Sequence, residues 1–356
     1  MLQPVRGTHD IYGENYLKFR YVIETARSMA ELYGFQTIET PIFEFSPVFA
    51  AMGETSDVVT KETYTFEDRG GQQITLRPEG TASVMRAIVS NGLTQHIPLK
   101  FFYAGPMFRY ERPQKGRYRQ FHHIGVELVG VDKAEADVEI IAMASHIIQT
   151  LGCVGEISLE INTLGDIYTR QAYREALVAF LNPLKDKLSP ESQQRLYKNP
   201  LRILDSKDEN DQCLLLEAPD YKTYWNDTSK SFFDKVLEGL NNLGIQFQIN
   251  SKLVRGLDYY CHTVFEFISK DLGTQSTVLA GGHYDGLTKR MGGQDLPGVG
   301  WAGGVERFML LCQNHPTYPR PTALVPLGPQ AEQHGQVLAY RLRKHGIPVD
   351  LSYSGN

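Results

Sequence analysis

Cysteine is scarce and scattered. Cys153, Cys213, Cys261 and Cys312 form no CxxC pair in 356 residues, which argues against a zinc motif or a disulfide framework and for a reducing compartment. Long apolar runs are missing too. No segment approaches the roughly 18 apolar residues of a membrane span, and the polar opening MLQPVRGTHDIYGE has no signal-type stretch. Together these absences lead us to expect a cytoplasmic protein. Surplus positive charge is also lacking, the formal net charge being −5, so any contact with nucleic acid must rest on a local patch. The phosphate-loop signature GxxxxGK[ST] does not occur, and there are no internal repeats or low-complexity tracts.

What is present is a chain long enough for two or three domains, with the 42% hydrophobic and 22% charged content of an ordinary soluble protein. Apolar residues at helical spacing over 14–33 stop at Gly34, a C-cap. FQTIETPIFEF alternates like a strand, but Pro41 has no N–H for a ladder and predicts an edge or an interface. YTFEDRGGQQITLRPEGT reads as a hairpin turning at Gly70-Gly71, followed by a helix over 81–90 and a strand in KFFYAGPMFRYE. In a helix over 134–151, Val138, Ile141, Ala142, Ile148 and Leu151 share one stripe. Hairpin-linked strands with few intervening helices predict an α+β fold, an antiparallel sheet flanked by helices.

Composition shifts near 166. Residues 166–243 are polar, helical and lysine-rich, and read as a mainly helical insertion that splits one catalytic core into 1–165 and 244–321. A strand, a helix and a second strand over 322–356 form one βαβ unit. It is too small to bury a core of its own and reads as a fold stopped midway.

The segment FRYERPQKGRYRQFHHIGVE at 108–127 concentrates Arg109, Arg112, Lys115, Arg117 and Arg119 in an otherwise acidic chain. If its second half is a strand, Ile124, Val126 and Leu128 point one way, while Phe121, His123, Gly125 and Glu127 point the other. The first set belongs in a core. The second sets an aromatic ring, an imidazole and a carboxylate on one face with a gap at glycine. Alternation alone leaves two readings open: a solvated face with a charged loop kept for solubility, or arginine forks gripping phosphate oxygens beside a ring that stacks a base.

Five blocks in order resolve the choice. Pro41 after GFQTIET, the FRYE hairpin (Phe108, Arg109, Glu111) and GVGWAGGVERF with Glu306 and Arg307 resemble motifs 1, 2 and 3 of class II aminoacyl-tRNA synthetases. LVRGLDYYCHTVFEF at 253–267 and LAGGHYDGL at 279–287 resemble the two signature peptides of the histidyl-tRNA synthetase family, and LRPEGTA and RPQKGRYRQFHHIGVE are similar as well. Taken singly, PEGT is a turn into a helix and AGGHYDGL an ordinary hairpin. Their joint order carries the resemblance. HHIGVE approaches the HIGH tetrapeptide of class I enzymes, but it sits inside β alternation and no KMSKS partner follows.

The resemblance implies ligation of histidine to its tRNA in two steps, through histidyl-adenylate, in the cytoplasm. It implies ATP as substrate with Mg²⁺ on its phosphates, the ion held by no protein-only cage. It places Arg109 and Arg255 on either side of the α-phosphate as the catalytic pair, Arg307 at the γ-phosphate and Phe121 against adenine, with Glu111 and Arg117 also in the ATP site. For the amino acid it places Glu79, Thr81 and His123 at the α-ammonium, Glu127 and Tyr260 about the imidazole, Tyr259 and Tyr284 as walls, and Gly80 also in the histidine site. The implied partners are L-histidine, ATP, tRNA(His) and a second copy of the chain, a homodimer joined through the strand of Pro41. The C-terminal βαβ unit resembles the start of an anticodon-binding domain, incomplete here.

Three positions depart from the family's pattern: His123 where Gln is frequent, His283 where GGRYD is common, and Cys261-His262 in place of Asn-Arg after DYY. The rival reading is a non-catalytic relative, the regulatory subunit of ATP phosphoribosyltransferase, which shares the fold and senses histidine. The complete set of motif 2 arginines, RGLDYY and Arg307 oppose it, because a sensor has no use for an adenylation apparatus.

Overall fold

The computed structural model describes residues 2–353 except 54–58, 60, 258, 274–275, 315 and 318–319. Asp258 of RGLDYY therefore lies outside the described residues. Helix α1 (Gly13–Leu32) ends as its sequence predicts: Gly34 takes φ +78°, and the N–H of Phe35 turns back to the carbonyl of Ala30 at 2.9 Å. Strand β1 (Gln36–Thr37) pairs in parallel with β5, and β2 (Phe43–Phe45) pairs with β4 in a separate sheet. The expected single strand is thus two, with Pro41 in the gap where no ladder N–H is needed. β3 (Tyr64–Glu67) and β4 (Gln73–Leu76) form the expected hairpin, its turn held by Asp68 Oδ1, which accepts from the N–H groups of Gly70 and Gln72. Helix α2 (Thr81–Ser90) follows.

Strands β5 (Leu99–Phe108) and β6 (Gln120–Val129) are paired along their whole length, with the basic loop between them. Helix α3 (Ala134–Thr150), β7 (Ile157–Thr163), β8 (Gln248–Ile249), β9 (Tyr260–Ser269), β10 (Thr277–Tyr284) and β11 (Gly298–Gly304) complete the large sheet and its cover. Its order is β1-β5-β6-β11-β10-β9-β7-β8, antiparallel throughout the six central strands and parallel at both edges. The α+β expectation holds. GVGWAG at 298–303 has the GxGxxG spacing of a dinucleotide fingerprint, but it lies within an antiparallel strand rather than at a strand-to-helix turn, so it is not one.

One face of the sheet packs on α1 and α3. Ile124, Val126 and Leu128 enter this core with Val22, Ala26, Ile140 and Ile147, as the alternation of β6 requires. The buried stripe of α3 differs from the expected one. Ala136, Ile140, Ile141, Ala144, Ile147 and Ile148 are buried, whereas Val138 and Ala142 are only half-buried, and the charged Asp137 is wholly inside. Between 166 and 243 lie α4 (Ile167–Leu181), α5 (Pro190–Lys198), α6 (Glu209–Leu214) and α7 (Asp227–Asn242), each opened by a side-chain cap from Asp166, Ser189, Asp208 or Asn226. The last of them sends Phe233, Val236 and Leu240 into the main core. Helix α8 (Val305–Leu311) follows β11 directly, and β12 (Thr322–Leu324), α9 (Pro329–Lys344) and β13 (Val349–Leu351) form a parallel βαβ unit. Among the described residues no helix is long and apolar enough to cross a membrane.

Candidate active site

The other face of the sheet carries a cavity with cations at one end and carboxylates and tyrosines at the other. Arg109, Arg117, Arg255 and Arg307 line the first end. Glu79, Thr81, Glu127, Tyr259, Tyr260 and Tyr284 line the second, and Glu111, Phe121 and His123 lie along the wall. Of the site residues that the resemblance implies, only Gly80 is not on the lining. Phe121, His123 and Glu127 lie on β6, Tyr260 on β9, Tyr284 on β10, and Thr81 and Arg307 at the starts of α2 and α8, while the others lie on loops that adjoin these elements, so the sheet and its connections assemble side chains from distant parts of the chain.

At the cationic end each arginine is fixed by a neighbour. Arg109 donates from Nε to the carbonyl of Pro78 at 2.9 Å and lies over the Phe121 ring at 5.3 Å. Arg117 pairs with Glu111, and Arg255 pairs with Glu266, which also accepts from Thr277 Oγ1 at 2.9 Å. Arg307 donates to the carbonyls of Gly116 and Thr277. Burial pulls the Arg307 guanidinium below its ordinary range, and the charges of Arg117 and Arg109 add to that effect. Like charges crowded in a cleft, held in place by the fold, are preorganised for a polyanion. His123 is kept neutral by burial and by Arg109 and Arg307, and its Nδ1 has no hydrogen-bond partner among the described residues.

At the other end Glu127 is buried and accepts from Thr81 Oγ1 at 2.7 Å and from Tyr284 OH at 2.6 Å. Burial outweighs these bonds and raises its pKa to about 8. Glu79 accepts from the N–H groups of Thr81 and Ala82, the unpaired donors at the start of α2. A carboxylate walled by buried rings, with a second carboxylate beside it, suits a small substrate carrying N–H groups and positive charge.

Sequence reasoning missed several contributors. Tyr103 lies between Gly80 and Gly125: a Cβ on either glycine would come within 2.2 or 2.3 Å of its ring. Gly300 leaves room for Glu127, whose Oε2 would lie 2.1 Å from a Cβ there. The glycine gap seen at 125 was the available signal, but only cross-strand register shows which side chain fills it. Arg77, itself buried, bonds the carbonyls of Thr40 and Pro106. Glu306 lines the same cavity, and its carboxylate holds the backbone N–H and ring of His122. We expect Gly125→Ala to raise the KM for the amino acid about 10-fold or more, because the Tyr103 ring must shift by more than an ångström in a close-packed site. Activation kinetics with a circular dichroism check on folding measure this.

A six-stranded antiparallel sheet cradling an arginine cluster and an amino-acid-sized polar pocket defines the class II aminoacyl-tRNA synthetases. The family model for histidyl-tRNA synthetase matches residues 7–308. A relative from Rhodospirillum rubrum called histidine–tRNA ligase is 55% identical over 357 residues, spanning 100% of this chain and 86% of its own. The apo histidyl-tRNA synthetase of S. aureus superposes with a TM-score of 0.82 at 34% identity, over 99% of this chain and 85% of that one. A Bacillus halodurans structure described as an ATP phosphoribosyltransferase regulatory subunit/histidyl-tRNA synthetase has a TM-score of 0.73 at 21% identity, over 99% and 93%, a likeness of fold alone. The chain belongs to the histidyl-tRNA synthetase family.

Proposed function

We propose that this chain ligates histidine to tRNA(His) in the cytoplasm. The observation that supports it most is the convergence of Arg109 and Arg255 on the cavity that also holds Glu127. In the first step a carboxylate oxygen of histidine attacks the α-phosphorus of ATP. The bond to the β-phosphate breaks and pyrophosphate leaves, giving histidyl-adenylate. Arg109 and Arg255 meet the negative charge that grows on the α-phosphate, while Arg307 and Arg117 hold the remaining phosphates and Phe121 stacks the base. In the second step a hydroxyl of the terminal adenosine of tRNA attacks the acyl carbon, and AMP leaves. Mg²⁺ enters with ATP. The ion would be carried mainly by the phosphate oxygens of ATP, since the carboxylates lining that end, Glu111 and Glu306, are paired with Arg117 and His122.

Glu127 and Tyr260 select the substrate by pairing with the two ring nitrogens, and Glu79 and Thr81 take the α-ammonium. A buried acceptor left without an N–H rejects apolar side chains strongly. Histidine-dependent ATP–pyrophosphate exchange tests the proposal. Robust exchange supports it, and background exchange from a folded preparation favours a histidine sensor. In domain terms we take 1–165 and 244–321 as the catalytic core, 166–243 as an insertion whose closing helix serves that core, and 322–356 as part of an anticodon-binding domain.

The working unit is a homodimer. Ile42, Phe43, Phe45 and Phe66 of the small sheet are 42%, 50%, 56% and 49% exposed, an apolar patch next to Pro41 that a two-fold partner would cover. Sedimentation at micromolar concentration is expected to give a dimer, and Phe45→Asp to shift it toward monomer.

A further inference from the structure

Two of the three departures noted in the sequence, His283 and Cys261-His262, lie together behind the amino-acid pocket. His283 of β10 pairs across the sheet with Cys261 of β9, next to the pairing of Tyr284 with Tyr260. Asp285 follows at the end of β10. Sγ of Cys261 lies 3.3 Å from Oδ2 of Asp285, and Nε2 of His283 lies 3.4 Å from Oδ1. One donor atom from each of the three falls within 4.8 Å of the others. Bonds of about 2.0–2.3 Å at tetrahedral angles put the donors around one ion roughly 3.4–3.6 Å apart, so the contacts of Cys261 and His283 with the two oxygens of Asp285 are near that spacing.

Two further observations point to a cation rather than to an ordinary polar cluster. His283 is wholly buried, and its Nε2 makes no aligned hydrogen bond among the described residues, facing only its ion-pair partner, Asp285 Oδ1, at 3.4 Å. Its Nδ1 is held at 2.9 Å by Oδ1 of Asp137, the buried carboxylate on the apolar face of α3. A carboxylate bonded to one imidazole nitrogen fixes the tautomer and leaves the opposite lone pair free, which is how proteins orient metal-ligating histidines. Next to it His262 takes φ +43°, a backbone region costly for a residue with a Cβ. Its ring lies 5.4 Å from that of His283, and its Nδ1 is also buried without a partner among the described residues. The Asp285 side chain is 51% exposed, which leaves the cluster an entry path from solvent.

We infer that Cys261, His283 and Asp285 form a zinc site, with Asp137 orienting His283 and the fourth position open to solvent beside His262. A thiolate, an imidazole and a carboxylate suit a borderline-soft divalent cation and not magnesium or calcium. The ion ties the start of β9 to the end of β10 directly beside Tyr260 and Tyr284, and so stiffens the wall of the amino-acid pocket. It takes no part in the adenylation chemistry, and the inference does not rest on it.

The chain purified from zinc-supplemented medium is expected to carry about one zinc per molecule by atomic emission. After chelation, cobalt titration should produce a thiolate-to-cobalt charge-transfer band together with tetrahedral d–d absorption. Cys261→Ser should abolish the charge-transfer band, Asp137→Asn should weaken cobalt binding about 10–100-fold, and Cys213→Ser, at an exposed cysteine, should change neither. If the Cys261 variant folds poorly, the unmodified chain still decides, because cobalt binding without a charge-transfer band, or no binding, overturns the site. A band that survives Cys261→Ser in a folded chain overturns it equally.

Discussion

Replacing Arg255 by alanine is expected to lower histidine-dependent ATP–pyrophosphate exchange by about 10³-fold while leaving the fold intact. Arg255 and Arg109 come from loops at the ends of distant strands, yet both line the cavity that holds the amino-acid pocket. Glu266 and the Pro78 carbonyl fix them before any substrate arrives. A charge already in place needs no reorganisation when the α-phosphate gains negative charge, and one such donor is worth about 10²–10³-fold in rate. Arg255 presents two N–H groups as well as a full charge, which puts its loss at the upper end. Arg255→Lys restores the charge without the planar fork and should recover only part of the rate. The effect should fall on the rate more than on the KM for histidine, because the interaction strengthens in the transition state. Exchange within a few-fold of the parent would place the phosphate chemistry elsewhere.

Substituting Glu127 by glutamine should raise the KM for histidine about 10–100-fold, the equivalent of about 1.5–3 kcal/mol for one charge-assisted hydrogen bond. The same variant carries a stability signature. Burial raises the Glu127 carboxyl from the ordinary carboxylate range to about 8. Because the folded value lies above the unfolded one, its contribution to stability is complete below the unfolded value and is lost as pH rises through about 8. Glutamine has no proton to lose. The difference in melting temperature, variant minus parent, should therefore grow between pH 5 and pH 9. A flat difference measured by calorimetry would show that Glu127 is ionised at little cost and that the pocket is wetter than its geometry suggests.

Much of this protein was legible in its amino-acid order. Period-two alternation in HHIGVEL assigned Ile124, Val126 and Leu128 to the core and His123 and Glu127 to the opposite face, because side-chain direction along a strand is a local property. Gly34 and the Gly70-Gly71 turn marked a helix end and a hairpin for the same reason. The stripe of α3 was read less well. Alternation and helical period say which residues share a face, but the width of that face depends on how many neighbours cover it, and here the sheet and α7 both do. Pro41 correctly forbade a continuous ladder, although the sequence could not show that the flanking strands join different sheets.

Pairing between strands was decided by tertiary structure alone. Tyr103 fills the gaps left by Gly80 and Gly125 only because β5, β6 and the start of α2 meet in one register. Glu266 orients Arg255, and Asp137 meets His283 across 146 residues. Nothing in local spacing marks such partners, since contact between distant segments follows from which faces bury each other. The sequence by itself determined the chemical groups and the faces that present them. The sheet decided which of those groups share a cavity, because only its cross-strand register brings side chains that are remote along the chain within bonding distance.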